Sequence, residues 1–441
     1  MGQAGYGAYE TVLAYLFIFT VLADFGLHIV HVREISKYPE KESFISGNIF
    51  TLRLLSLALV IALALGVSIF LPYDREIKIG ILVAVIFVLF SSLSQVLAGI
   101  FQKYETFYLV SFSDVITRLI QLVLVIYAVN RGLGLLPFIW ILSLTAGFQF
   151  LLVFFLSRRF VRFGLFLDLS YAKKILKISF PIALSILFTA IYIRTDALML
   201  SLMKPQADVG IYRLAAKLLE AIVFFPALLV ELTMPSFSRF ALQVPNLFKQ
   251  IFRNTFDVLF ILAVPVVVYL VVLSEPIILI LGGKDFANSA LPLKILAFVV
   301  GLVFLNNLAG KSLIALELQK AGMWIYLSGA VLNIVANLFA IPRYTYVGAS
   351  LTTLVTEILV TLMMFSVIYK KVGFSPRVQG LAKSLFAGSV MALTIFWFKE
   401  FSILIPFFTG LAVYFTLIFL IKAISWQDLR EILSKKEMVS E

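Results

Sequence analysis

The sequence predicts an all-α polytopic membrane protein. It reads as two six-helix-type bundles, the first lacking its leading helix, plus two C-terminal helices, about 13 transmembrane helices in all. Three observations carry this reading. Hydrophobic residues make up 62% of the 441 and charged residues only 14%, far from the roughly half-apolar, quarter-charged average of soluble domains. The apolar residues fall in continuous runs of about 20, the length a helix needs to cross a bilayer core. A stretch near the start of the chain also recurs about half-way along it.

The runs cover 9–32, 47–71, 79–101, 107–129, 135–156, 178–203 and 209–232, then 255–281, 290–313, 323–341, 346–368, 381–398 and 401–421. Their unbroken apolarity argues for helices, because the strands of a membrane barrel alternate every second residue over about ten. The absence of cysteine excludes disulfides, thiolate metal sites and cysteine nucleophiles. The first run follows no basic n-region and is too long for the h-region of a cleaved signal peptide.

Most of the 36 Lys and Arg collect in alternate loops, as they do on the cytoplasmic side of a multi-pass protein. The densest cluster is SRRFVRFGLFLDLSYAKKILK, residues 157–177, and the tail SWQDLREILSKKEMVSE falls on the same side. Both are expected in the cytoplasm, with Met1 outside, in the cell membrane. The net charge of +12 then reflects orientation and attraction to anionic lipid; no motif or basic domain supports nucleic-acid binding. The basic cluster also divides the chain into an N-terminal bundle (1–156), a cytoplasmic linker (157–177), a C-terminal bundle (178–368), an appended helix pair (369–421) and a tail (422–441). The tail, with Trp426, reads as a short amphipathic helix on the membrane surface.

AGYGAYETV, around Tyr6, recurs as ADVGIYRLA. Gly7 and Tyr9 match Gly210 and Tyr212 at an offset of 203 residues. At the same offset VREISK, from Val32, falls on PSFSRF, from Pro235, so both helices have one length and end in basic, serine-containing loops. In the second copy a full apolar helix precedes the GxY, whereas the chain opens on its first GxY. The first copy is thus expected to lack its leading helix; restoring it brings the count to fourteen and both termini into the cytoplasm. Repeats of this kind are the usual construction of helical transporters.

GYGAYETVLAYLFIFTVLADFGL, PIALSILFTAIYIRTDALMLSLMKPQADVGIYRLAAKLLEA and NIVANLFAIPRYTYVGASLTTLVTEIL together resemble the polysaccharide flippases that export O-antigen and teichoic-acid precursors. These belong to the multidrug/oligosaccharidyl-lipid/polysaccharide exporter superfamily. The resemblance covers nearly the whole chain and rests on the order and spacing of these stretches. It implies a V-shaped bundle of fourteen helices with a central cavity, moving a lipid-linked oligosaccharide such as an undecaprenyl-pyrophosphate sugar to the outer leaflet. The implied partners are that substrate, membrane lipids and a glycan polymerase or ligase.

A charge at the centre of a membrane helix costs about 2.5 to 3.5 kcal/mol on insertion scales, so such residues normally face the bundle or a wet cavity. Basic residues within the runs are Arg53, Arg118, Arg194, Arg213, Lys217, Lys294 and Lys311; acids are Asp24, Asp114, Asp196, Glu220, Glu231, Asp257 and Glu357. A carrier of pyrophosphate needs cations, and arginine grips phosphate oxygens with its planar fork. Arg53, Arg118, Arg194, Arg213 and Lys217 are therefore the candidate substrate-binding residues. Asp114 and Arg118 are four apart and suited to an internal ion pair, as are Lys217 and Glu220 at three. Arg213 and Lys217, also four apart, put two like charges on one face, which makes that face the leading anion site. Arg53 and Lys294 have snorkelling to the interface as their plain alternative. Asp24, Asp196 and Glu357 are the candidate coupling or positioning acids.

Other signals carry less. His28 and His31, three apart, read as interfacial packing, since no Cys or acid cluster completes a metal site. AGKSL, from Ala309, lacks the upstream glycine of a phosphate loop and sits in an apolar run, so no ATPase is read. No metal, cofactor or catalytic residue is expected. Three functions are weighed: a lipid-linked oligosaccharide flippase working by alternating access, a cation-coupled multidrug exporter of the same superfamily, and a membrane-embedded glycan polymerase or ligase. The basic residues and the appended helix pair favour the first over the second. The third lacks a sizeable outer loop bearing catalytic groups.

Overall fold

Helices form where the apolar runs lie, because a backbone removed from water has to satisfy its own N–H and C=O groups. The computed structural model describes residues 1–241, 244–374 and 377–422. Fourteen α-helices, and no strand, occur among them. They are α1 (Gly2–Asp24), α2 (Leu27–Lys37), α3 (Glu42–Phe70), α4 (Arg75–Lys103), α5 (Tyr108–Asn130), α6 (Leu135–Ser157) and α7 (Leu169–Met203). Then follow α8 (Gln206–Phe240), α9 (Pro245–Val272), α10 (Ser274–Gly282), α11 (Ala290–Ala315), α12 (Gln319–Val372), α13 (Val378–Phe398) and α14 (Leu404–Leu420). The amphipathic tail predicted from Ser425 lies outside the described residues.

Among the described residues ten helices are long and apolar enough to cross a membrane, against the thirteen runs of the sequence. The difference lies in three places. The 54 residues of α12 count once although they hold two runs. Helix α8 is not among the ten, which are counted over the described residues alone. Helix α14 has only 17 residues.

The chain divides into two compact units, Met1–Gly210 and a second beginning at Ile211. In the first, α4 packs along α6, and α1 packs on α3, α4 and α7. Its core is built from Val12, Tyr15, Leu57, Ile81, Leu97 and Ile139. In the second, α9 packs on α11 and α13, α11 on α12, and α13 on α14. Tyr414, fully buried in α14, donates to the carbonyl of Ile261 at 2.8 Å. The sequence boundary at 157–177 follows charge, while α7 beyond it packs on α1, α2 and α3 of the first unit.

Two breaks interrupt the helices. Phe25 and Gly26 both take left-handed φ values, 49° and 72°, and split the first run into α1 and α2. In α12, Thr345 adopts φ 50° and ψ −130°. Helix α12 is therefore two antiparallel arms, 319–344 and 346–372, joined without a loop. Gly348 lies so close to the carbonyl of Ala340 that a β-carbon there would collide with it. Further down the arms, Thr352 donates to Asn337 at 2.5 Å.

The two glycines of the repeat meet within the first unit. A β-carbon at Gly7 would strike the carbonyl of Gln206, and one at Gly210 would strike the carbonyl of Gln3. Gln3 and Gln206 are themselves 203 apart, like Gly7 and Gly210, so the contact between α1 and the opening turn of α8 is reciprocal. Thr11 closes it by donating to Gln206 Oε1 at 2.6 Å. Close backbone approach through small residues is the usual way that helices pack tightly in lipid.

The linker between α6 and α7 is held against α3. Asn48 Oδ1 accepts the Asp168 N–H at 2.6 Å, and Thr51 Oγ1 accepts the Phe166 N–H at 3.0 Å. A β-carbon on Gly47 would lie 2.6 Å from the Gly164 carbonyl. The Phe160 ring packs edge-on to Phe101 and tilted to Tyr104, and Phe163 packs tilted to Phe50. Asp168 caps α7 by accepting the Tyr171 N–H at 2.9 Å, the usual service of an aspartate at a helix start.

Candidate functional site: charges within the helices

In the first unit the central pair joins α1 to α3. Asp24 is the last residue of α1, beside the break at Phe25, and Arg53 lies about three turns into α3. Arg53 Nη1 donates to Asp24 Oδ1 at 2.7 Å and Nη2 to Gln95 Oε1 at 3.3 Å. The Arg53 side chain is 0% exposed and that of Asp24 11%, so Arg53 does not snorkel. A partner on a neighbouring helix removes the cost that would otherwise drive the guanidinium to the interface. Its two terminal nitrogens are committed to Asp24 and Gln95, while Nε is buried without a hydrogen-bond partner.

Arg118 and Asp114 form the predicted i,i+4 pair at 3.5 Å, with both side chains open. Arg118 also donates to Gln121, and Gln149 donates to Asp114. Arg194, on α7, places its guanidinium 4.9 Å from the centre of the Phe17 ring on α1, a cation–π geometry. Asp196 is buried on the same helix. Arg53, Arg118 and Arg194 thus each answer to a partner of their own.

In the second unit, Glu220 of α8 serves two cations. Arg213 Nη1 donates to Glu220 Oε1 at 3.0 Å, and Lys217 Nζ lies 3.6 Å from Glu220 Oε2. The sequence reading paired Lys217 with Glu220 and left Arg213 and Lys217 as like charges on one face. The structure brings all three together, because residues seven apart lie on one face two turns away and a long arginine spans that gap. Arg213 is buried, while the Lys217 side chain is 58% exposed and is the member open to a ligand.

Glu357, in the second arm of α12, is buried and accepts from Asn306 Nδ2 at 2.7 Å. In the same unit Asn337 donates to Asn333 at 3.0 Å. Lys311 reaches Glu231 at 2.6 Å and Lys294 reaches the exposed Glu275 at 2.8 Å. Sequence reasoning missed Gln95, Asn306, Asn333 and Asn337. Their signal was present as amides inside apolar runs, but only charges were weighed there. Buried Glu10 was missed in the same way, close to the GxY.

Of the two histidines His31 is buried and His28 half-buried. His31 is 1% exposed, with Nδ1 3.1 Å from the Val96 carbonyl and Nε2 3.0 Å from Ser46 Oγ. Among the described residues no three His, Cys, Asp or Glu converge as a metal site requires. AGKSL lies inside α11.

The second unit also holds an apolar groove of about 710 Å³, lined by side chains that include Phe225, Leu229, Val266, Tyr269, Phe304 and Phe407. Such a lining offers contacts to a hydrocarbon chain and little to a sugar. A smaller cleft of about 400 Å³ gathers Glu275, Asn288, Lys294 and Tyr346.

The family model described as polysaccharide biosynthesis protein matches residues 1–241. The capsular polysaccharide biosynthesis protein CapF of Staphylococcus aureus is 20% identical over 371 residues, 83% of this chain and 92% of CapF. The probable flippase AglR of Haloferax volcanii is 24% identical over 204 residues, 46% of this chain and 43% of AglR. Among solved structures, the lipid II flippase MurJ in an inward closed conformation is similar with a TM-score of 0.73 at 15% identity. That similarity covers 95% of this chain and 97% of MurJ. An inward-facing multidrug resistance MATE family transporter of the MOP superfamily is similar with a TM-score of 0.65 at 12% identity, covering 84% and 96%. At these identities the structural likeness establishes the fold.

Proposed function

The chain belongs to the polysaccharide biosynthesis protein family, and on that premise we propose that it is a flippase for a lipid-linked oligosaccharide. The substrate is a polyprenyl-pyrophosphate sugar carried across the cell membrane for surface polysaccharide assembly. The observation that carries this reading is the family match over more than half of the chain. Similarity to CapF, AglR and MurJ agrees with it. No chemical bond is made or broken in such a role, and the chain acts as a transporter rather than an enzyme.

The residues have a division of labour under this reading. Arg213 and Lys217 share Glu220, and Lys217, the exposed member, is the cation placed to turn towards a pyrophosphate. Arg194 and Arg118 are the other cations that the anionic head would meet. Arg53, held by Asp24, positions α3 against α1 and becomes available to phosphate only if Asp24 is neutralised. Asp24, Asp196 and Glu357 are the acids whose protonation or ion uptake would drive an alternating-access cycle. The sugar stays in the aqueous path while the isoprenoid tail remains in apolar surroundings. The linker and the C-terminus face the cytoplasm, and the linker separates the two bundles read from the sequence. A glycan polymerase or ligase consumes the product outside.

The test is a leaflet assay on the full chain in liposomes with a fluorescent polyprenyl-pyrophosphate sugar and a membrane-impermeant quencher. Flipping makes nearly all of the probe quenchable; protein-free liposomes protect the inner half. Protection equal to that of empty liposomes would overturn the reading. The structural likeness to multidrug transporters favours a second reading, export of cationic compounds, which gains the ground if the same liposomes move a cationic dye and leave the lipid in place.

A further inference from the structure

The connection from α6 to α7 presents an unusual surface. Leu165 is 68% exposed, Phe166 51% and Leu169 76%, yet they stand outside every apolar run. Around them Arg158, Arg159, Arg162, Lys173, Lys174 and Lys177 are all exposed, and none forms an ion pair among the described residues. The one acid in the segment, Asp168, is committed to capping α7. A water-facing loop would gain nothing by displaying three large apolar side chains. A flexible one would not be fastened to α3 by Asn48 and Thr51 and by the approach of Gly164 to Gly47. These anchors set residues 164–168 beside the first turns of α3, the level at which a membrane helix enters the bilayer.

Apolar side chains flanked by exposed cations are the pattern of a segment lying in a lipid interface, where basic residues are drawn to an anionic surface. We propose that residues 158–168 and the opening turns of α7 form a docking surface for anionic phospholipid, its headgroups held by the arginines and lysines and its acyl region entered by Leu165 and Leu169. The rigid backing by α3 makes this a seat of fixed shape. The proposal needs only that the chain lies in a membrane, so it stands or falls apart from the identity of the transported molecule.

Native mass spectrometry of the full chain, released from micelles containing equal phosphatidylglycerol and phosphatidylcholine, tests it. The wild-type chain is expected to retain phosphatidylglycerol several-fold over phosphatidylcholine, with the preference falling as salt is raised. Replacing Arg158, Arg159, Arg162, Lys173, Lys174 and Lys177 by Gln brings the ratio close to one. Neutralising Lys435 and Lys436 in the tail leaves it high. Leu165→Ser with Leu169→Ser lowers retention of both lipids. If folding of the sixfold variant is in doubt, the salt series on the wild-type chain decides alone. A preference that survives the sixfold variant, or that is indifferent to salt, overturns the proposal. Displacement of phosphatidylglycerol by free pyrophosphate, but not by chloride at the same ionic strength, also overturns it and assigns the cations to a phosphate ligand.

Discussion

Arg53 and Asp24 hold each other in the interior of the first unit, so removing either one leaves the other as an uncompensated buried charge. Such a loss costs about 3 to 5 kcal/mol in buried pairs, whereas removing both is far milder. Arg53→Ala and Asp24→Ala are each expected to lower the thermal unfolding midpoint strongly, and the double variant to recover much of it. Additive losses would mean that the pair is not coupled. On α8 the expectation concerns transport rather than folding. Lys217→Ala, an exposed side chain, should reduce flipping about tenfold or more while leaving the unfolding midpoint near wild type. An unchanged rate with Lys217→Ala, and again with Arg194→Ala, Arg213→Ala and Lys217→Ala combined, removes the assigned anion site. Charge was legible in the sequence at these positions. Partners were legible only within one helix: Asp114 with Arg118 follows from spacing, while Arg53 with Asp24 or Lys311 with Glu231 joins residues far apart in sequence that only packing brings together.

Helix existence was readable almost everywhere, since runs of about 20 apolar residues leave little choice in a bilayer. The interruptions were legible unequally. The break before α2 lies inside the run 9–32, where only Gly26 could have marked it. The reversal at Thr345 falls where the runs 323–341 and 346–368 part, around Pro342 and Arg343; the runs did not show that the arms join through a threonine at positive φ. Holding a non-glycine residue there costs on the order of 1 to 3 kcal/mol. Thr345→Gly is therefore expected to raise the unfolding midpoint, and a fall would show that the threonine side chain contributes more than its backbone costs. The glycine crossing makes the opposite demand. Gly7→Leu or Gly210→Leu leaves no room for the facing carbonyl, and either should abolish transport and depress yield, with Gly66→Leu as a control at an open position. Full activity in Gly7→Leu would mean that α1 and α8 need not meet.

At the scale of the whole molecule, the chain's lack of cysteine lets orientation be read directly. Single cysteines at Arg159 and at Lys204 should react with an impermeant thiol reagent from opposite sides, Arg159→Cys only in inverted vesicles. Labelling of both from one side would undo the proposed orientation. The family and the helical class were visible in the order of motifs, whereas the reciprocal meeting of Gly7 and Gly210 was visible only as a repeat in the text of the chain. That reciprocity has a historical consequence. Gly7 touches Gln206, and Gly210 touches Gln3, the same pair of positions exchanged between the two copies. Duplication of one segment accounts for this: it would leave a glutamine and, four positions on, a glycine in each copy, as the chain carries at Gln3 and Gly7 and again at Gln206 and Gly210.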